Sequence, residues 1–237
     1  QNINNKNVRQ IIWKIRAKQV VLATGSIERP LIFNNNDRPG IMLSHSARNY
    51  SNRNINLGKN IILFTNNDYA YQAAIDFKNK DNSINIIVVD IRKNSEGDLV
   101  KKSKKLGINI LFNHVISNTF GRKKINSVRI HKIDDETNQI IDSYGKIHCD
   151  LLCVSGGWTP TVHLFTQSRG KLIFRDSDAT FIPHKSFQNE VSIGACNGTY
   201  DLRKIIEETY YKISNLFPEF KNNIEKINYS RESKIKE

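Results

Sequence analysis

Cysteine is scarce in this chain: three residues, Cys149, Cys153 and Cys196, among 237, and no C-x-x-C pair. That excludes the dithiol redox chemistry such a pair would carry. Cys149 and Cys153 lie four positions apart on a strand-like run, roughly 13 Å of extended backbone and beyond disulfide reach. They read as buried thiols of a reducing cytosol, so a cytoplasmic location is expected. Glycine is thin too: twelve residues never fall at G-x-G-x-x-G spacing, and only Gly156 and Gly157 are adjacent. A complete dinucleotide fingerprint is therefore missing. The six histidines, at positions 45, 114, 131, 148, 163 and 184, show no ligand spacing with one another or with the cysteines, so no metal site is expected. No catalytic constellation is visible either. No apolar run reaches the roughly 18 residues of a membrane span and no signal peptide is recognisable, so no membrane partner is expected.

Acidic residues are also in deficit, 23 against 36 basic ones, for a formal charge of +13. Such a balance suits nucleic acid when the basic residues cluster and aromatics interleave with them. Here the densest runs, Lys101–Lys105 and Arg122–Lys124, read as solvated helix and turn, and no nucleic-acid partner is expected. With 38% apolar residues, the chain is long enough to bury a sizeable core.

What is present is a set of buried strands that end in glycine. Gln19–Gly25 (QVVLATG) runs four β-favouring or apolar residues into Thr24 and Gly25, as a parallel strand buried on both faces does at a ligand crevice. Asp150–Val154 empties in the same way into Ser155-Gly156-Gly157, and Val191–Ile193 into Gly194, with a helix expected from about Thr199. Thr24, Gly25, Gly156, Gly157, Gly194, Asn197 and Gly198 are thus candidates for one dinucleotide site, their backbone N–H groups facing a pyrophosphate or flavin. Between these exits, Lys59–Phe64 reads as a strand, Thr65-Asn66-Asn67-Asp68 as a turn and the following residues as a helix. A further strand, Ile84–Val89, closes on Asp90, about where a Rossmann unit puts its ribose-binding acid. Thr65, Asn66, Asn67 and Asp90 are the candidates for this second site. The turn lacks the glycines that let backbone approach a phosphate, and Asp68 reads better as a helix cap. From Leu106 short alternating strands predict a β-meander.

The segments Ala23–Tyr50 (ATGSIERPLIFNNNDRPGIMLSHSARNY), Leu63–Ala74 (LFTNNDYAYQAA), Cys149–Leu172 (CDLLCVSGGWTPTVHLFTQSRGKL) and Ile193–Leu202 (IGACNGTYDL) resemble the α subunit of heterotetrameric sarcosine oxidase. More broadly, the chain resembles the two-dinucleotide-binding-domain flavoproteins of the pyridine nucleotide-disulfide oxidoreductase type. The resemblance implies an α/β fold in which a Rossmann-like NAD-type domain with a β-meander is inserted into an incomplete FAD/NAD-binding Rossmann-like domain. It implies NAD or FAD at the outer site and flavins of the complex on a partner subunit. It also implies a hetero-oligomer with the other sarcosine oxidase subunits. The activity implied is oxidative demethylation of sarcosine, giving glycine, hydrogen peroxide and a one-carbon unit passed to tetrahydrofolate. The usual acid after the last glycine is replaced by Ala195-Cys196-Asn197. Residue 1 is Gln and the only methionine is Met42, so the chain is expected to be an internal fragment, inactive alone.

The expected domains are 1–58, the end of the first outer half with a hairpin at Ile11–Arg16 and a crossing segment; 59–148, the inserted domain; 149–216, the second outer half; and 217–237, a charged tail. Two other functions remain open on the residues alone: a non-catalytic assembly scaffold of the same complex, and a free-standing NADH-dependent FAD reductase.

Overall fold

A computed structural model describes residues 10–218 apart from 135 and 138. The described residues form two compact units, one from residues 10–26 and 160–218, the other from within residues 27–159. Ile11–Arg16, expected to form a hairpin, carries no regular secondary structure. Beyond residue 218 the expected charged tail lies outside the described residues.

In chain order, β1 (Val20–Leu22) belongs to the first unit and β2 (Ser26–Glu28) carries the chain into the second. There follow β3 (Ile41–Leu43), α1 (Ser44–Asn52), β4 (Asn60–Thr65), α2 (Tyr69–Lys80), β5 (Asn85–Asp90), α3 (Asp98–Lys105) and β6 (Asn109–Phe112). The meander is β7 (His114–Phe120), β8 (Ser127–Ile133) and β9 (Ile140–His148), and β10 (Leu151–Ser155) comes next. β11 (Trp158–Pro160), hydrogen-bonded to β2, leads back. The first unit continues with α4 (His163–Gln167), β12 (Lys171–Arg175), β13 (Thr180–Lys185), β14 (Glu190–Ser192), a single 3-10 turn at Gly194–Asn197 and α5 (Leu202–Leu216).

The second unit is a three-layer α/β/β domain. Its parallel sheet has the order β3-β10-β4-β5-β6. Side chains of a strand alternate between faces, and the two cores follow that alternation. Ile61, Leu63, Leu151 and Cys153 point into a core shared with Ala47 of α1 and with Ala70, Tyr71, Ala74 and Phe77 of α2. Ile62, Phe64, Leu152 and Val154 point the other way, onto Ile116, Val128 and Ile130 of the antiparallel β7-β8-β9 meander. Covering by helices on one face and the meander on the other explains why β4, β5 and β10 read as nearly continuous apolar runs.

Two boundaries differ from the sequence expectation. β10, expected in the outer domain, lies between β3 and β4 at the centre of the inserted sheet, in register Leu152↔Ile41 and Leu152↔Ile62. β3 and α1, expected in an irregular crossing segment, also belong to the inserted unit, which starts at Ile27 rather than at Lys59. α1 escaped detection because its buried residues are Ser44, Ala47 and Ser51, small side chains that leave no apolar stripe to read. The start of β10 is fastened by Asp150, whose Oδ2 accepts the backbone N–H groups of Lys59 (2.9 Å) and Asn60 (2.8 Å).

The first unit pairs β1 in parallel with β14, in register Val21↔Val191. β12 and β13 form an antiparallel hairpin. α5 is capped by Asp201, whose side chain accepts the Lys204 N–H, so this helix starts at Leu202, three residues later than expected. Phe165 is buried in this unit, with its ring against Gly170, where an added Cβ would lie 2.4 Å from the ring edge.

Candidate functional site

Two sets of strand exits have to be considered, one in each unit. In the first unit, the parallel pairing of β1 with β14 continues as the Ile193 N–H donates to the Leu22 carbonyl at 2.9 Å. Thr24-Gly25 and Gly194 therefore leave the same end of adjacent parallel strands, the carboxyl edge at which open α/β sheets bind ligands. Gly25 has φ +73°, and a Cβ built there would meet nothing within 4 Å. The glycine is thus required by the backbone, with space beside it. Thr24 Oγ1 donates to the Thr161 carbonyl at 2.7 Å, and the Thr161 N–H returns to the Gly25 carbonyl at 2.9 Å, which holds the turn.

The Gly194–Gly198 loop is more occupied. Glu208 of α5 accepts the Gly194 N–H at 3.3 Å and the Asn197 side-chain amide, and is paired with Lys212 at 2.7 Å. Burial works to raise the Glu208 pKa, but Lys212, Thr199 and Asn197 outweigh it and hold the carboxyl below its ordinary range. Arg175, locked to Asp178, donates to the Gly198 carbonyl at 2.9 Å. The Cys196 thiol, fully buried, bonds to the Leu22 and Ile193 carbonyls. Glu208 and Arg175 were not singled out in the sequence, and no local signal marks them, because α5 and β12 meet the loop only in the fold. In this unit Gly25 leaves open space at its strand exit, whereas the Gly198 backbone is taken, its N–H donating to the Ala195 carbonyl at 3.1 Å and its carbonyl accepting from Arg175. Asn197 already spends its amide on Glu208.

Gly156 and Gly157, expected in the same site, belong to the second unit. The Gly156 N–H donates to the Arg29 carbonyl at 2.6 Å, and a Cβ at Gly156 would lie 2.7 Å from the Pro30 carbonyl oxygen. This glycine serves a close backbone approach rather than an open cradle. Its neighbour in space is the Thr65–Asp68 turn: Thr65 pairs with Ser155 across the sheet, and the Asn67 amide donates to Ser155 O at 3.1 Å and Oγ at 3.2 Å.

That turn does not fit a nucleotide. Asp90 is completely buried, and its carboxylate accepts the Tyr71 hydroxyl at 2.7 Å, the Arg92 backbone N–H at 3.0 Å and the Arg92 guanidinium at 3.0 and 2.7 Å. Nothing of it is left for a ribose. Burial lowers the Arg92 pKa, yet Asp90 and Asp68 outweigh that and raise it; burial and Asp90 together push the Tyr71 hydroxyl far above its usual range. Asp68 does not cap α2 through its side chain. It pairs with Arg92 at 2.7 Å and accepts the Ser95 hydroxyl at 2.9 Å. Asn67 Oδ1 accepts the Tyr69 N–H at 3.0 Å instead. Asn66 donates nothing to this cluster; its Oδ1 accepts from Asn67.

The three thiols are free and buried, and burial pushes Cys149 up to about 12 and Cys153 higher still; neither is a nucleophile at neutral pH. Among the described residues no group of three or more His, Cys, Asp or Glu is placed to hold a metal, and no helix is long and apolar enough to cross a membrane.

In sequence, the chain is 36% identical over 196 residues to the sarcosine oxidase subunit alpha of Corynebacterium sp. strain U-96, covering 81% of this chain and 20% of that protein. The corresponding subunit of strain P-1 is 33% identical over the same shares. This chain is homologous to a segment of the sarcosine oxidase alpha subunit. It spans about a fifth of the length of the curated relatives it matches. No protein-family profile matches it. Among solved structures, T. acidophilum thioredoxin reductase superposes with a TM-score of 0.59 at 20% identity, over 80% of this chain and 60% of that one. An FAD-dependent pyridine nucleotide-disulphide oxidoreductase from Desulfovibrio vulgaris does so with 0.56 at 14%, over 77% and 46%. The fold of this chain is therefore that of the two-dinucleotide-binding-domain flavoproteins, as expected. The thioredoxin reductase likeness concerns fold alone, since the segment has no C-x-x-C.

Proposed function

We propose that this chain supplies dinucleotide-binding machinery to a sarcosine oxidase, an oxidoreductase acting on a CH–NH donor. Thr24, Gly25 and the Gly194–Gly198 loop hold NAD, with FAD as the second possibility. The observation that carries this reading is the parallel pairing of β1 with β14, which brings two glycine exits to one sheet edge with open space at Gly25. The dinucleotide would supply the redox chemistry, and this chain would bind and orient it. The implied reaction is the demethylation of sarcosine to glycine and hydrogen peroxide, with the one-carbon unit passed to tetrahydrofolate. Its flavin-bearing step falls to partner subunits of a hetero-oligomer. The relatives are named as alpha subunits, which supports such an assembly. Three buried free thiols suit a reducing, cytoplasmic setting. The assembly-scaffold alternative draws on the self-satisfied Asp68–Arg92–Asp90 cluster. The free-standing reductase finds no support in that turn.

Calorimetric titration of NAD and FAD into the chain tests the proposal. One dinucleotide should bind, and Gly25→Val, which fills the open space, should weaken it at least about tenfold, or roughly 1.4 kcal/mol. Undiminished binding to that variant, or no binding of either dinucleotide, rejects the outer site.

A further inference from the structure

The acidic deficit of the chain is concentrated in one place: no Asp or Glu occurs between Asp98 and Asp134. Protein surfaces ordinarily intersperse charges of both signs, so such a stretch leaves a surface of one sign unless the fold brings carboxylates to it. Its later part is the β7–β8 hairpin, to which β9 adds. Arg129 of β8 stands opposite Lys146 of β9 in register, so the two side chains emerge from one face of the meander. That face is turned away from the core, since Val128 and Ile130, the chain neighbours of Arg129, are the buried ones. Both cations lie over the Phe120 ring, Arg129 at 5.2 Å and Lys146 at 4.5 Å from its centroid. The ring attracts each of them and so holds side by side two like charges that repel one another. Among the described residues neither has a carboxylate partner. The exposed Arg122, Lys123 and Lys124 continue the charge in the turn directly after Phe120. β9 does bring a carboxylate, Asp142, but opposite Lys132, at the far end from Phe120.

Such a face calls for an anionic occupant, and the adjoining edge says of which kind. β9 is an outer strand of the meander, and among the described residues no backbone hydrogen bond reaches its free edge. Its register with β8 is regular from Gly145 to His148, beside Arg129, and shifts only beyond Gly145. Ile140, Ile141 and Tyr144 of the same strand are exposed. An open edge is a template for another extended chain, which gains main-chain hydrogen bonds there and meets the flanking side chains alternately. A nucleic acid has no such backbone to offer. It also binds best where a bare aromatic face can stack on a base, whereas the Phe120 ring is already capped by Arg129 and Lys146.

We propose that this face docks an acidic polypeptide segment in extended conformation, which adds to the β9 edge and sets its carboxylates against Arg129, Lys146 and the Arg122–Lys124 turn. The surface lies wholly in the second unit and does not depend on the dinucleotide reading. Its partner is defined by charge and by an extended backbone, and the apolar side chains of Ile140, Ile141 and Tyr144 lie along the same strand.

The test is fluorescence anisotropy of a labelled peptide of about ten residues, alternating Glu and Thr so that every carboxylate falls on one face of the strand, titrated with the full chain. A peptide alternating Gln and Thr and a thymidine oligonucleotide of similar length are the comparisons. The acidic peptide should bind at least about tenfold tighter than its Gln counterpart, and its affinity should fall as salt is raised, because exposed charges are screened. Arg129→Gln with Lys146→Gln should weaken binding at least about fivefold, whereas Lys101→Gln with Lys105→Gln, which removes the same charge from α3, should change it less than about twofold. These side chains are exposed, so thermal melts of both variants should match the parent chain. Equal losses in the two variants overturn the proposal by reducing it to net charge, as does failure of the acidic peptide to bind. An oligonucleotide bound more tightly than the peptide also overturns it, by assigning the face to nucleic acid.

Discussion

The two units solve the same problem, a parallel pairing of strands, with different completeness. In the second unit five parallel strands are covered on both faces, and residues such as Leu63, Tyr71, Ala74, Val88 and Leu152 are fully buried. In the first unit two parallel strands carry Val20, 42% exposed, and in α5 only Ser214 is buried, at 8% exposure. Parallel sheets normally depend on cover from both sides. The contrast teaches where room is left: the dense unit fills its Thr65–Asp68 turn with its own side chains, and the sparse unit leaves space at Gly25.

The largest test of that division is core truncation. Phe77→Ala in the second unit should cost about 3–5 kcal/mol, against about 1 kcal/mol for Ile206→Ala on the half-exposed face of α5. Denaturant melts followed by circular dichroism measure both, and equal losses would erase the contrast. Next, Tyr71→Phe removes the hydroxyl that the buried Asp90 accepts and should cost about 1–3 kcal/mol in the same melts, without creating NAD binding. Asp68→Gly should likewise lose the Arg92 pair without gaining affinity for NAD by calorimetry, and a large gain would show that the turn is a nucleotide site after all. A comparison of glycines sharpens the difference further. Gly58 has φ +95° and a Cβ there would lie 2.4 Å from the Asp150 Cβ, whereas Gly25 has space. Gly58→Ala should therefore destabilise by more than the roughly 1–3 kcal/mol of backbone strain that Gly25→Ala also incurs.

The smallest effect is one of pH. The Asn60 N–H, and behind it that of Lys59, holds the Asp150 carboxyl below its ordinary value. A depressed folded pKa means that its contribution is complete above the unfolded value of about 3.9 and is lost as pH falls through the folded value beneath it. Acid melts of Asp150→Asn should show a shallower loss of stability below about pH 4 than the parent chain.

Much of this was legible in the residues. Ile61–Phe64 and Leu151–Val154 announce buried parallel strands because both faces are apolar, and Ala70, Ala73, Ala74 and Phe77 announce α2 by helical spacing; Val20–Leu22, expected to be buried on both faces, is a parallel strand in which only Leu22 is buried. Helix α1 left no trace, since Ser44, Ala47 and Ser51 are small and mostly polar. Gly25 was legible as an exit, but the closure of the second turn was not. Asp90 looks the same in sequence whether it waits for a ribose or is consumed by Tyr71 and Arg92.

The sequence by itself determined the kinds of element, the fold class and the kinship with the sarcosine oxidase alpha subunit, because periodicity, turn residues and motif segments are local. Only the tertiary structure decided which strands are neighbours. It set β10 between β3 and β4, placed Gly156 and Gly157 in the second unit, and gave Glu208, Arg175, Arg92 and Glu28 their partners. Such choices rest on contacts between residues scores of positions apart, whose energies depend on packing and burial that no local pattern records.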